Sequence, residues 1–174
     1  MNRFTLAIAA AATAIAFAHS ALAEGQYVDQ TGFAVSGYDV VAYRDLSQEA
    51  IGSAQPAPVP GKASITADYN GATFAFSSEE NRETFLSDPA RYAPQYDGHC
   101  AYGAAKGGKV PGNPTLWRIV DDKLYLNITK NVVGFWEVDI PGNISLANGN
   151  WPALDDAPGS ERAIPKFTSS APLK

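Results

Sequence analysis

The spacing of hydrophobic residues changes along this chain, and each change predicts a different kind of element. Residues 4–18 form a nearly unbroken apolar run. In the middle of the chain the apolar residues fall into short, strand-like runs at 40–43, 65–69, 72–76, 116–120 and 123–127. After Thr129 the pattern lengthens. Val133, Trp136, Ile140, Ile144, Ala147 and Trp151 recur at intervals of three and four, the stripe of an amphipathic helix.

The residues between these runs say how they connect. Asn70-Gly71 separates two of them, and both residues tolerate the positive φ angles of a two-residue hairpin turn, so 65–69 and 72–76 are predicted to pair antiparallel. A second hairpin is expected between 116–120 and 123–127 across Asp121-Asp122. Residues 40–43 read as a short buried strand behind the turn Ser36-Gly37-Tyr38-Asp39. Ser77 with Glu80 fits a capping box, which predicts a helix running to Ser87 and burying Phe85 and Leu86. Asp88-Pro89 then starts a short helical piece to Tyr92, ahead of Pro94. Asp97 is expected to cap a helix over 98–106, stopped by Gly107-Gly108. Pro141 falls inside the C-terminal stripe, and Asp139 can cap a new segment there, so that helix should kink or break. The class is therefore α+β: small antiparallel β-hairpins packed with short helices and a C-terminal kinked helix, in a single domain. No internal repeat stands out.

The ends of the chain differ from its middle. Arg3 precedes the apolar run and Ala21-Leu22-Ala23 follows it, the layout of a secretory signal peptide over residues 1–23, cleaved after Ala23. The run is about 15 residues, against the roughly 20 that span a membrane, so no stable membrane anchor is expected. The predicted compartment is periplasmic or secreted. Residues 24–36 read as an N-terminal arm, 37–152 as the folded domain and 153–174 as a flexible tail rich in Pro, Ser and charge. Within the domain, Pro56, Pro58 and Pro60 mark 47–61 as an extended surface loop.

Charge and cysteine content narrow the functional classes. Lys and Arg number 13 against 18 Asp and Glu, a formal charge of −5, and one of those bases lies in the leader. An acidic domain without a basic stripe argues against nucleic-acid binding. The chain has one cysteine, Cys100, and His99 is the only histidine outside the leader. A lone cysteine cannot close an internal disulfide. It is buried, a ligand or reactive group, or a bridge in a homodimer.

Gly37-Tyr38-Asp39-Val40-Val41-Ala42-Tyr43, then 69–81 with its Phe74-Ala75-Phe76-Ser77-Ser78-Glu79-Glu80-Asn81, then Phe85, Asp88-Pro89 and Tyr92, closely resemble the YHS domain family. The stretch 96–103, with Leu124-Tyr125-Leu126-Asn127 and Asn150-Trp151-Pro152, resembles an exported bacterial branch of that family. The resemblance implies a small α+β domain related to TRASH-type metal-binding domains found in copper-handling proteins, and no established reaction for this branch. It also exposes a departure. The metal-binding relatives place cysteines at positions corresponding to Ala42, Ser77 and Asn81, where this chain offers no thiolate.

The candidate chemistry thus falls on His99 and Cys100. As soft donors they suit copper or zinc, with further ligands from Tyr, Asp or a second chain, so the expected partner is a metal ion or a small ligand. With Asp97 as cap, Cys100 would lie in the first turn of a helix, where the dipole lowers a thiol pKa, so a thiol redox enzyme or sensor is a second reading. His99 is a poor base for it, since neighbours on a helix diverge by about 100°. With no second His or Cys to assist, a binding module is expected over an enzyme. A third reading makes Cys100 structural and places a small-organic-ligand or partner-binding cleft among the aromatics, with Tyr38, Asp39, Tyr43, Tyr96 and Tyr102 as lining candidates and Trp117 nearby.

Overall fold

The computed structural model describes residues 25–160 and 171–172. Residues 1–24, which include the expected signal peptide, and residues 161–170 and 173–174 lie outside the described residues. Among the described residues no helix is long and apolar enough to cross a membrane.

The Asn70-Gly71 turn forms as predicted, with φ of 44° and 75°, and joins β1 (Lys62–Tyr69) to β2 (Ala72–Phe76) as an antiparallel pair. Asp121 and Asp122 take positive φ in the same way and join β3 (Asn113–Val120) to β4 (Lys123–Asn127). The helices are α1 (Glu79–Ser87), α2 (Pro89–Tyr92), α3 (Ala101–Ala105), α4 (Lys130–Glu137) and α5 (Ile140–Leu154). The architecture is α+β, with small antiparallel sheets, several helices and a C-terminal helix. The break at the C-terminal stripe is complete: Asp139 caps α5 by accepting from the Gly142 amide at 3.0 Å, and Pro141 sits in its first turn, where no donor is missed.

Several local expectations are corrected. Residues 40–43 are not a strand; the chain turns there into a 3₁₀ segment, Ala42–Asp45, because the Asp39 carboxylate captures the amides of Val41 and Ala42. Ser78, not Ser77, caps α1. Asp97 caps nothing: it lies in a 3₁₀ turn, Gln95–Gly98, with φ of 50°, and Cys100 is itself the N-cap of α3. The last helix continues through Pro152 to Leu154, and Ala171 returns to pack on the main core.

The expectation of no internal repeat is also overturned. The chain builds one architecture twice. In the first copy, Val35, Ser36 and Gly37 take φ of 51°, 52° and 79°; in the second, Tyr96, Asp97 and Gly98 take 56°, 50° and 79°. The next residue bridges the proline of a Val-Pro-Gly triplet, Tyr38 to Pro60 and His99 to Pro111. The triplet's glycine then donates to the positive-φ glycine, Gly61 to Gly37 and Gly112 to Gly98, at 2.9 and 3.0 Å. Both triplet glycines are required: a Cβ on Gly61 would meet Ala75 at 2.5 Å, and one on Gly112 would meet the Leu126 Cβ at 2.7 Å. An eight-residue strand follows in each copy, slipping register at matched points, Lys62↔Phe76 to Thr66↔Ala75 and Asn113↔Asn127 to Trp117↔Leu126. Ser78 and Thr129 then cap α1 and α4, Phe85 and Trp136 are their buried residues, and Asp88 and Asp139 cap the helices that follow.

The copies meet across β4. Leu124 and Leu126 face the larger core with Phe74, Phe76, Phe85 and Tyr43, while Tyr125 between them faces a second core with Tyr96, Ala101, Trp136 and Ala147. Alternation along a strand puts successive side chains on opposite faces, so this one strand belongs to both cores.

Candidate functional site

Asp39 occupies the centre of the first copy and is fully buried. One carboxylate oxygen accepts from the amides of Val41 (3.0 Å) and Ala42 (3.3 Å). The other accepts from the Ser77 amide, the Ser77 hydroxyl and the Asn81 side-chain amide, each at 2.7 Å. A charge without water needs such a set of donors. Ala42, Ser77 and Asn81, where the resemblance places thiolate ligands, thus surround a carboxylate and spend their polar groups on it. These residues do not fit a soft-metal cage.

Cys100 occupies the matching place in the second copy. Its amide donates to the Val110 carbonyl at 2.8 Å, as the Asp39 amide donates to Val59 at 2.9 Å. Its sulfur accepts from the Gly103 amide at 3.3 Å and donates to Asn127 Oδ1 at 3.5 Å. Ile128 and Val132 stand where the first copy has Ser77 and Asn81, so the side-chain donors are gone. Burial pushes the Cys100 thiol pKa up, and the amides of Gly103, Ile128 and Tyr102 oppose that only in part. The predicted lowering by a helix dipole is therefore not found. A neutral thiol fits a cradle whose walls have become apolar.

His99 is buried beside it and faces elsewhere. Its backbone is extended, with φ −81° and ψ 164°, and successive side chains of extended backbone diverge. Its Nδ1 lies 3.0 Å from the Tyr96 carbonyl, and the ring packs between Tyr27 and Trp151. Among the described residues no three His, Cys, Asp or Glu side chains gather to hold a metal ion. Nearby, Asp97 accepts from Gln26 and Asn70. Burial, then the adjacent Asp155 carboxylate, raises its pKa to about 6.

The aromatic candidates are not brought round one cleft. Tyr38 and Tyr43 belong to the larger core and Tyr96 to the second, with Tyr102 packed at its edge. Tyr43 donates to the Pro114 carbonyl and Tyr96 to Asn148; Tyr102 stacks on Phe135. Tyr43 lines a surface hollow of about 510 Å³ with Arg44 and Arg91, and Tyr96 a separate one of about 310 Å³, while a more apolar cleft lies under the Pro-rich loop. It has a volume of about 470 Å³ and runs between residues 52–57, β3 and α4. Ala54, Ala57, Leu116, Trp117 and Val133 supply its apolar wall, with Gln55, Thr115, Lys130 and Glu137 as polar groups. Trp117 is held from both sides: Tyr43 meets its ring edge-on at 5.2 Å, and its indole N–H donates to the Pro56 carbonyl at 2.9 Å. Of the aromatics named from sequence only Trp117 lines it, and nothing local marked 130–137 as its other wall.

A family model for the YHS domain matches residues 54–96. The chain carries a YHS domain at these residues. The match takes in the first hairpin with α1 and α2, and Cys100, the second hairpin and the α4 side of the cleft lie beyond it. No curated protein and no solved structure matches the chain.

The buried cradle predicts how Cys100 behaves. Iodoacetamide should alkylate the native protein at least about 100-fold more slowly than the denatured chain, because opening must precede reaction, and non-reducing electrophoresis should show no thiol-linked dimer. Native alkylation at the denatured rate would contradict a structural thiol.

Proposed function

We propose that this chain is an exported, non-catalytic YHS-family module that binds a small organic molecule in the cleft under its Pro-rich loop, with Cys100 structural. One observation carries this reading: the cleft falls in the size range of small-molecule sites and is built like one, an apolar wall with a few placed polar groups. No thiol or imidazole lines it, and its carboxylate, Glu137, is committed to Arg118 at 2.5 and 3.0 Å. These features favour binding over catalysis, and the sequestered sulfur of Cys100 favours an organic ligand over a metal at Cys100 and His99. Export rests on the leader pattern of residues 1–23.

The test is a titration of ¹⁵N-labelled protein with small neutral aromatic and aliphatic amides, followed by amide and indole shifts. Shifts should centre on Leu116, the Trp117 indole and Val133, and Val133→Trp, which fills the cleft, should abolish them while the fold persists by circular dichroism. Shifts centred elsewhere, or none, would overturn the reading.

A further inference from the structure

The two copies of the architecture can be compared position by position, and at the cleft they differ systematically. In the first copy the helix after the hairpin opens with Glu79 and Glu80, the sign that suits the positive end of a helix. In the second copy the equivalent first position is Lys130, and the first turn of α4 carries no acid. A cation there is electrostatically disfavoured. One turn further on, the first copy has Arg82 and Glu83, joined in an ion pair at 2.8 Å, with Arg82 Nε also donating to the Thr66 carbonyl of β1 at 2.9 Å. The second copy has Val133 and Gly134 at these places, and both line the cleft. The polar cover that closes the first helix over its hairpin is thus replaced in the second by small apolar groups, and the acid at its start by a base.

The charges in the cleft then count in one direction. Glu137 is neutralised by Arg118, and no carboxylate among the described residues pairs with Lys130. Among the described residues, Lys130 is thus the one cation lining the apolar cleft, and no described carboxylate compensates it. We propose that the cleft selects small carboxylates with an apolar body, the body lying against Trp117, Leu116 and Val133 and the carboxylate meeting the Lys130 ammonium. The proposal rests on the cleft being the binding site and adds the class of its ligand.

Matched pairs of probes separate the two statements. Phenylacetate, 1-naphthylacetate and octanoate are titrated beside their primary amides, with shifts read at Trp117 and Val133. The acids should bind at least fivefold tighter than the amides at low salt. Lys130→Met should bring the acids to the level of the amides without moving the amides, and Lys130→Arg should restore the difference. Equal affinity of acids and amides at the cleft would overturn the ligand class and leave the cleft as the site. Absence of cleft shifts from every probe, acid and amide alike, would remove both. Persistence of the acid preference in Lys130→Met would overturn the role of Lys130.

Discussion

Asp39→Asn should unfold the protein more readily than its single-atom change suggests, by about 4 kcal/mol, which is on the order of 10 °C in melting temperature for a domain of this size. The carboxylate accepts five hydrogen bonds, from Val41, Ala42, Ser77 twice and Asn81. An asparagine can keep the oxygen that serves Val41 and Ala42, but its NH₂ would then point at three donors. Those donors, on the partly buried Ser77 and Asn81, would lose a charged acceptor, and hydrogen bonds to charged groups are worth more than neutral ones. Asp39→Ala should cost a similar amount. Thermal denaturation at neutral pH checks both, and a loss under about 1 kcal/mol would mean that the network relaxes in a way the packing does not suggest. The matching variant in the second copy, Cys100→Ser, should be milder, because its sulfur receives only weak, neutral hydrogen bonds.

Glu137→Ala should be comparably damaging, by about 3–5 kcal/mol, for a different reason. Arg118 and Glu137 have side chains only 7% and 5% exposed, so removing the carboxylate strands a guanidinium in the interior. The same pair holds the Pro-rich loop. Arg118 donates to the carbonyls of Glu49 and Ala50, and Glu137 accepts from the Gly52 amide at 2.8 Å. The variant should therefore lose hydrogen-exchange protection at Gly52 and bind cleft probes more weakly even below its melting temperature. Combining Arg118→Met with Glu137→Leu should recover much of the stability, since an apolar pair replaces a buried ionic one at little cost. It should not recover the loop anchor. Full recovery of both in the double variant would show that the loop does not depend on this ion pair.

The hairpins and the helix starts at Asp88 and Asp139 were legible because they depend on residues close together in sequence. Asn70-Gly71 sets its own φ angles, and Asp88 and Asp139 reach amides three residues ahead. The misplaced elements depend on contacts that spacing does not show. At 40–43 the Asp39 carboxylate turns the chain by capturing the Val41 and Ala42 amides while Ser77 and Asn81 hold its other oxygen, and the helix expected from Asp97 starts instead at Cys100, which is held by Val110 and Asn127. The repeated architecture has a faint mark in sequence, Val59-Pro60-Gly61 and Val110-Pro111-Gly112 each standing before a hairpin. Its chemistry is masked because the central residue of the cradle changes from an aspartate to a cysteine.

By itself, then, the sequence determined the YHS resemblance, the α+β class, the hairpin turns and the loss of the thiolate set, all carried by local spacing and residue type. Tertiary structure alone decided that Cys100 is the counterpart of Asp39 and that β4 serves two cores. It alone decided that the cleft forms where the Pro-rich loop meets α4. Each of these depends on groups brought together across long stretches of chain, as Trp117 meets Pro56 and Arg118 meets Glu137, and no local pattern specifies such a meeting before the chain has folded.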